Sequence, residues 1–226
     1  MKKCVAEFIG TFALVFAGTG AIIINQVTGG AITHVEISLT FGLIVLAMVY
    51  TVGDISGAHL NPAVSLAFFA ARRFPFGELI PYVLSQCAGA FLASGILRFL
   101  FPENPTLGAT LPAGPPLQSF VLELILTAIL MFVILSVSTG AKEKGITAGI
   151  AVGSVIGLGA MFAGPICGAS MNPARSLAPA VLSHTLSSLW IYLIAPPLGA
   201  LLAVLACRCV RERGCCAIPY AARSES

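Results

Sequence analysis

One eleven-residue pattern occurs twice in this chain, and it decides most of what the chain can be. The copies are Gly57-Ala58-His59-Leu60-Asn61-Pro62-Ala63-Val64-Ser65-Leu66-Ala67 and Gly168-Ala169-Ser170-Met171-Asn172-Pro173-Ala174-Arg175-Ser176-Leu177-Ala178. They align without a gap at an offset of 111 residues. Each reads as an irregular, Gly-led approach, an Asn at a helix N-cap and a Pro at the first helical position. Each predicted helix runs only about ten residues before polar or basic residues interrupt it, half of what crosses a ~30 Å hydrocarbon layer.

The rest of the chain supplies the membrane. Of 226 residues, 58% are hydrophobic and only 9% charged, which excludes a water-soluble domain. The apolar runs are long and continuous rather than alternating, which excludes a membrane β-barrel. Six stretches are long enough to span, at residues 4–24, 37–53, 79–100, 119–139, 146–163 and 188–207. The two short helices follow the second and fifth of them. The predicted class is therefore an all-α transmembrane bundle of six spanning helices plus two re-entrant half-helices. The first apolar run continues past twenty residues and lacks a small-residue cleavage site, so it is expected to be a span rather than a removed signal.

Charge gives the orientation. If six spans alternate, Lys2, Lys3, Arg72, Arg73, Lys142, Lys144, Arg208, Arg211, Arg213 and Arg223 share one side, leaving only Arg98 and Arg175 of the twelve basic residues toward the other. The positive-inside rule then puts both termini in the cytoplasm of a multi-pass protein of the cell (inner or plasma) membrane. The halves match beyond the repeated segments: Glu7 and Thr11 correspond to Glu123 and Thr127, and Gly42 and Gly153 each precede their Asn by nineteen residues. Three spans per half is an odd number, so the second half is inverted. We read one domain over 1–226, with inverted repeats at about 1–110 and 117–208 and a basic, Cys-rich tail at 208–226.

Inverted repeats with broken helices are a design of channels and transporters. Irregular backbone is tolerated at membrane depth only inside protein or along a wet cavity. The approaches Gly57–Leu60 and Gly168–Met171, with Gly57, Ala58 and His59 in one and Gly168 and Ser170 in the other, are expected to line a pore with a ladder of carbonyl acceptors. Asn61 and Asn172 are expected to present amide donors where the half-helices meet. Each half-helix N-terminus contributes about half a positive charge, so two of them disfavour cations while neutral solutes exchange water for carbonyls and amides.

These residues resemble the aquaporin, or major intrinsic protein, family, and the likeness covers essentially the whole chain: both Asn-Pro-Ala boxes (Asn61, Pro62, Ala63 and Asn172, Pro173, Ala174), the following Arg175, and Glu7 and Glu123 in spans one and four. The resemblance implies one pore per subunit and a homotetramer in the bilayer. By position it also implies a selectivity ring of Phe41, Ala160, Ala169 and Arg175. Strict water channels of this kind have a His where Ala160 stands; glycerol facilitators have a Gly and a second aromatic in the ring, with Asp after the Arg. The stretch from Gly164 through Ser176, with Trp190-Ile191-Tyr192-Leu193, is similar to the plant metalloid-permeable branch, whereas Phe41 is bulkier than the residue in its most open members. The expected function is a passive channel for water and small uncharged solutes, among them glycerol and boric or arsenous acid, that excludes ions and protons. A strictly water-selective pore is the alternative.

Several residues remain. His59 is expected to bond backbone or to gate the cytoplasmic side; His34 and His184 are expected in surface loops. Glu7 and Glu123 must be paired, and holding the approach loops through backbone N–H groups is preferred to a proton relay. Of seven cysteines, Cys207, Cys209, Cys215 and Cys216 cluster in the tail, where thiophilic metal binding, lipidation or no role are all open. Cys167 is expected to face the outer vestibule, open to mercurials. No phosphate loop, Ser-His-Asp set or helical His-Glu metal spacing is present, so no enzyme activity, cofactor, metal or nucleic acid is expected. A secondary transporter competes with the channel reading, but the half-helices lack the acidic residues coupling uses; a junctional protein of the same fold would need longer outer loops.

Overall fold

A computed structural model describes residues 1–138 and 142–210. Among them are six long helices, α1 (Lys2–Val27), α2 (His34–Ser56), α4 (Phe76–Leu100), α5 (Pro116–Val137), α6 (Lys142–Cys167) and α8 (Leu189–Val210), and two short ones, α3 (Pro62–Ala70) and α7 (Pro173–Leu182). All six long helices are apolar and long enough to cross a membrane. The tail from residue 211, with Cys215 and Cys216, lies outside the described residues.

The helices pair in the same way in each half. Helix α1 packs on α2 and α4, α5 packs on α6 and α8, and α2 meets α6 between the halves. Glycines set these crossings, because in lipid close backbone approach replaces the hydrophobic drive. A Cβ on Gly42 would lie 2.6 Å from the Gly153 carbonyl oxygen, and one on Gly153 would lie 2.6 Å from that of Gly42. The two repeat-related glycines thus face each other across the α2–α6 contact. Gly89 on α4 abuts the Phe8 carbonyl, and Gly199 on α8 abuts that of Leu124, so the repeat extends to the α1–α4 and α5–α8 crossings. Each half-helix packs on the last long helix of the opposite half as well as of its own. Large apolar side chains such as Leu43, Leu84, Phe99, Leu158 and Phe162 point outward, as a lipid-facing surface requires.

The spans differ from their sequence bounds by up to four residues, and two of these ends have a plain physical cause. Helix α2 starts at His34 rather than near residue 37, because Thr33 and Glu36 form a reciprocal capping box. The loop placement of His34 is thereby corrected: it occupies the first turn of a helix. Helix α6 continues past residue 163 to Cys167 with Pro165 inside it, and Gly168 closes it by donating its N–H to the Gly164 carbonyl at 2.9 Å.

Candidate functional site: the pore and its constriction

Both approach loops share one backbone shape. Gly57, Ala58 and Leu60 have φ of 86, 47 and 52°, and Gly168, Ala169 and Met171 have 82, 41 and 52°. Four of these are non-glycine residues in the left-handed region, at a cost on the order of 1–3 kcal/mol each. A buried carboxylate offsets that cost in each half. Glu7 accepts N–H bonds from His59 at 2.9 Å and Leu60 at 2.6 Å, and Glu123 accepts them from Ser170 at 2.7 Å and Met171 at 2.8 Å. Both carboxylates are wholly buried, one on α1 and one on α5. Tyr82 and Tyr192 donate to the carbonyls of Ser56 and Cys167 at the foot of each loop, at 2.9 and 2.8 Å.

The tips of the half-helices are tied to each other. Asn61 Oδ1 accepts from the Ala63 N–H, and Asn172 Oδ1 from those of Ala174 and Arg175. Asn61 Nδ2 then donates to the Met171 carbonyl at 2.7 Å and Asn172 Nδ2 to the Leu60 carbonyl at 2.8 Å. One hydrogen of each amide is therefore structural, which leaves each Asn a single N–H for a permeant. Leu60 and Met171 also drop out of the expected carbonyl ladder. Among the described residues no protein group donates to the carbonyls of Gly57, Ala58, His59, Gly168, Ala169 or Ser170.

Two cavities lie along this axis. An inner one of ≈ 50 Å³, room for a few waters, is lined by Ala58, His59, Asn61, Ser170 and Asn172 among apolar residues such as Val45 and Ile156. An outer one of ≈ 320 Å³ is lined by Phe41, Ala160, Gly168, Ala169 and Arg175, together with His34 and Thr110. Phe41, Ala169 and Arg175 line both and stand between them. Pro62, Ala63, Pro173 and Ala174 line neither; they start the half-helices.

Arg175 is 1% exposed. Its Nη1 donates to the Gly108 carbonyl at 2.8 Å, and its guanidinium carbon sits 5.1 Å from the Phe41 ring centroid, in cation–π range. That carbonyl comes from the Pro-rich 101–115 connector, which sequence reading treats only as punctuation. Asn104 folds the connector inward: its Oδ1 accepts from Thr106 and Leu107, and its Nδ2 donates to Gln26 at 2.8 Å.

The halves diverge beside the tips. His59 Nδ1 lies 3.0 Å from Ser65 Oγ, and its ring packs on Phe68, Phe74 and Tyr82. The expected side-chain bond to backbone is therefore replaced by one to a hydroxyl. The matching Ser170 bonds Ser176, which in turn bonds Thr110. Cys167 corrects another expectation: it is wholly buried behind its loop, bonds the Ala163 carbonyl and lines neither cavity. Missed altogether was a pair of clamps. Arg98 at the end of α4 donates to the Leu182 carbonyl that ends α7, and Arg208 near the end of α8 donates to the Ala70 carbonyl that ends α3, both at 3.1 Å. Arg98, odd by the positive-inside rule, is thus the repeat partner of Arg208.

Two broken helices joined tip to tip inside a six-helix bundle, with one cavity at the tips and a second beyond Phe41, Ala169 and Arg175, define a membrane channel. The comparisons agree with that class. The family profile described as major intrinsic protein matches residues 1–207. The chain is 48% identical over 212 residues to aquaporin NIP1-1 of Oryza sativa subsp. japonica, covering 93% of this chain and 75% of that one. To nodulin-26 of Glycine max it is 47% identical over 202 residues, covering 89% and 74%. In structure it is similar to the aquaglyceroporin from Plasmodium falciparum, with a TM-score of 0.78 and 27% identity over 90% of this chain and 93% of that one. The chain belongs to the major intrinsic protein family. It is a multi-pass aquaporin-type channel for water and small uncharged solutes, and not an enzyme.

Proposed function

We propose that the solutes include hydroxylated molecules larger than water, with glycerol and boric or arsenous acid as the intended class. The observation that supports this is the boundary between the two cavities. Phe41, Ala169 and Arg175 line both, Ala160 borders the outer one, and two of these four side chains are single methyl groups. In this reading they form the selectivity ring. Arg175 donates to solute oxygens, and Phe41 and the two alanines leave room for a carbon or metalloid centre.

Ion exclusion follows from charge. A cation at the ring would meet the Arg175 guanidinium and, further in, two half-helix N-termini, each about half a positive charge. No carboxylate lines the inner cavity. Asn61 and Asn172 each offer one N–H there, and the approach carbonyls accept, so a neutral molecule replaces its water contacts in single steps. Glu7 and Glu123 act as struts that hold the approach loops in their left-handed form. We further propose a homotetramer in the cell membrane with both termini cytoplasmic, and the 1–110 and 117–208 repeats as one channel domain.

The test is stopped-flow light scattering on proteoliposomes with the parent and Ala160→His. Glycerol flux in the parent, lost in the variant while water flux persists, supports the wide ring. A parent that passes water and excludes glycerol would mean that Phe41, 5.1 Å from the Arg175 guanidinium, closes the ring to all but water.

A further inference from the structure

We propose that His34 is a specificity-determining residue of the outer cavity, offering a hydrogen-bond acceptor to hydroxylated solutes as they reach Arg175. The inference rests on the pore and solute range proposed above and assigns a role to a residue outside the ring.

Its basis is a proline. Pro165 has no N–H, so the Met161 carbonyl four residues earlier in α6 loses its helical donor. His34 Nε2, reaching across from α2, lies 3.2 Å from that oxygen. A carbonyl only accepts, so Nε2 carries the proton, and in the neutral ring Nδ1 is left as an acceptor. Among the described residues no protein group meets Nδ1. Space for the ring is made by a glycine: a Cβ on Gly164 would lie 2.7 Å from His34 Cε1. The imidazole lines the same ≈ 320 Å³ cavity as Phe41 and Arg175.

The imidazole adds a side-chain acceptor to those the Gly168 and Ala169 carbonyls offer in the same cavity. A guanidinium has donors and no acceptor, so it can bind a hydroxyl oxygen but cannot take a hydroxyl hydrogen. A solute with several hydroxyls sheds water from both kinds of group at once on entering. An acceptor in the same cavity as the Arg175 donors lets it exchange both together. Water is small enough to use the approach carbonyls and needs His34 less. Ala160 leaves α6 without an imidazole at the ring; His34 brings one from α2 to the carbonyl of the very next residue.

The experiment compares water and glycerol permeability in proteoliposomes of the parent, His34→Ala and His34→Gln. Glutamine keeps an N–H for Met161 and a carbonyl acceptor. Loss of about one hydrogen bond predicts that His34→Ala lowers glycerol permeability roughly 2- to 10-fold while water stays within about twofold, and that Gln restores most of the loss. A merely structural His34 would lower water and glycerol together, and that result overturns the proposal. So does an unchanged or raised glycerol-to-water ratio in His34→Ala, or a Gln variant no better than Ala. A parent that excludes glycerol overturns the proposed solute range and this inference with it; a parent that conducts glycerol with His34→Ala unaltered overturns this inference alone.

Discussion

Replacing Glu123 by Gln tests whether the buried carboxylates hold the pore open. Glu123 accepts two backbone N–H bonds, from Ser170 at 2.7 Å and Met171 at 2.8 Å, one on each oxygen. Gln keeps one acceptor and turns an NH₂ group toward the other N–H. The loss of one charge-assisted bond is worth about 1.5–3 kcal/mol, and the stranded buried N–H costs about 1–3 kcal/mol more. Against this stand Ala169 and Met171, each held at positive φ at a cost on the order of 1–3 kcal/mol. The two sums are similar, so the loop no longer gains by keeping its shape, and the Met171 carbonyl leaves Asn61. With the two sums similar, held and released loops are about equally populated, so water permeability per folded channel should fall about twofold, and about tenfold only if the loss exceeds the strain by about 1.4 kcal/mol. The assay is stopped-flow water flux normalised to folded protein, with thermal unfolding in detergent alongside. Glu7→Gln is the internal comparison. There the new amide finds an acceptor, either the Ser56 hydroxyl or a flipped Gln86, both already bonded to Glu7 at 2.7 and 2.8 Å. Its loss should be the smaller. Unchanged flux in Glu123→Gln, or a greater loss in Glu7→Gln, would refute the strut argument.

Other outcomes follow from the same geometry. Arg175→Val should admit a measurable proton or cation leak, because a unit charge at ~4 Å opposes a cation by about 4 kcal/mol in a partly screened site; proton flux into dye-loaded vesicles reads it, and a tight variant would count against the electrostatic barrier. Mercurials should leave short-term water flux intact, since Cys167 is buried and lines neither cavity; rapid block abolished by Cys167→Ser would show that the thiol is reached. Gly199→Leu should yield little folded protein, because a side chain there meets the Leu124 carbonyl; normal yield in a detergent size-exclusion profile would argue against backbone contact at the α5–α8 crossing. Arg98→Met should lower thermal stability by about 0.5–2 kcal/mol through loss of its bonds to the Leu182, Pro102 and Asn104 carbonyls, and an unaltered melting profile would remove it as a clamp.

The sequence made the architecture legible because its strongest signals are local and doubled. An Asn followed by Pro starts a helix at 61 and 172 but only a turn at 104, so it is the pair in register after matching apolar runs that leaves few folds. What stayed hidden depends on partners distant in the chain. Nothing near Gly108 announces that its carbonyl would meet Arg175, because the contact needs Asn104 to turn the connector inward onto Gln26. A charge count sees only sides of a membrane, whereas Arg98 ties the Pro102 and Asn104 carbonyls of the connector to the Leu182 carbonyl that ends α7. Likewise His34 looked like a loop residue, although the Thr33–Glu36 capping box was present to start the helix there. Cys167 was placed by its distance from Asn172, but the left-handed turn at Gly168 and Ala169 directs it behind the loop.

The central claim is passive conduction through a standing pore, and the most direct test is glycerol influx into proteoliposomes over a wide concentration range without any ion gradient. Flux should rise in proportion to concentration, with a temperature dependence well below that of protein-free vesicles. Saturation at modest concentration, or influx that requires a proton or sodium gradient, would contradict the account and point to alternating access instead.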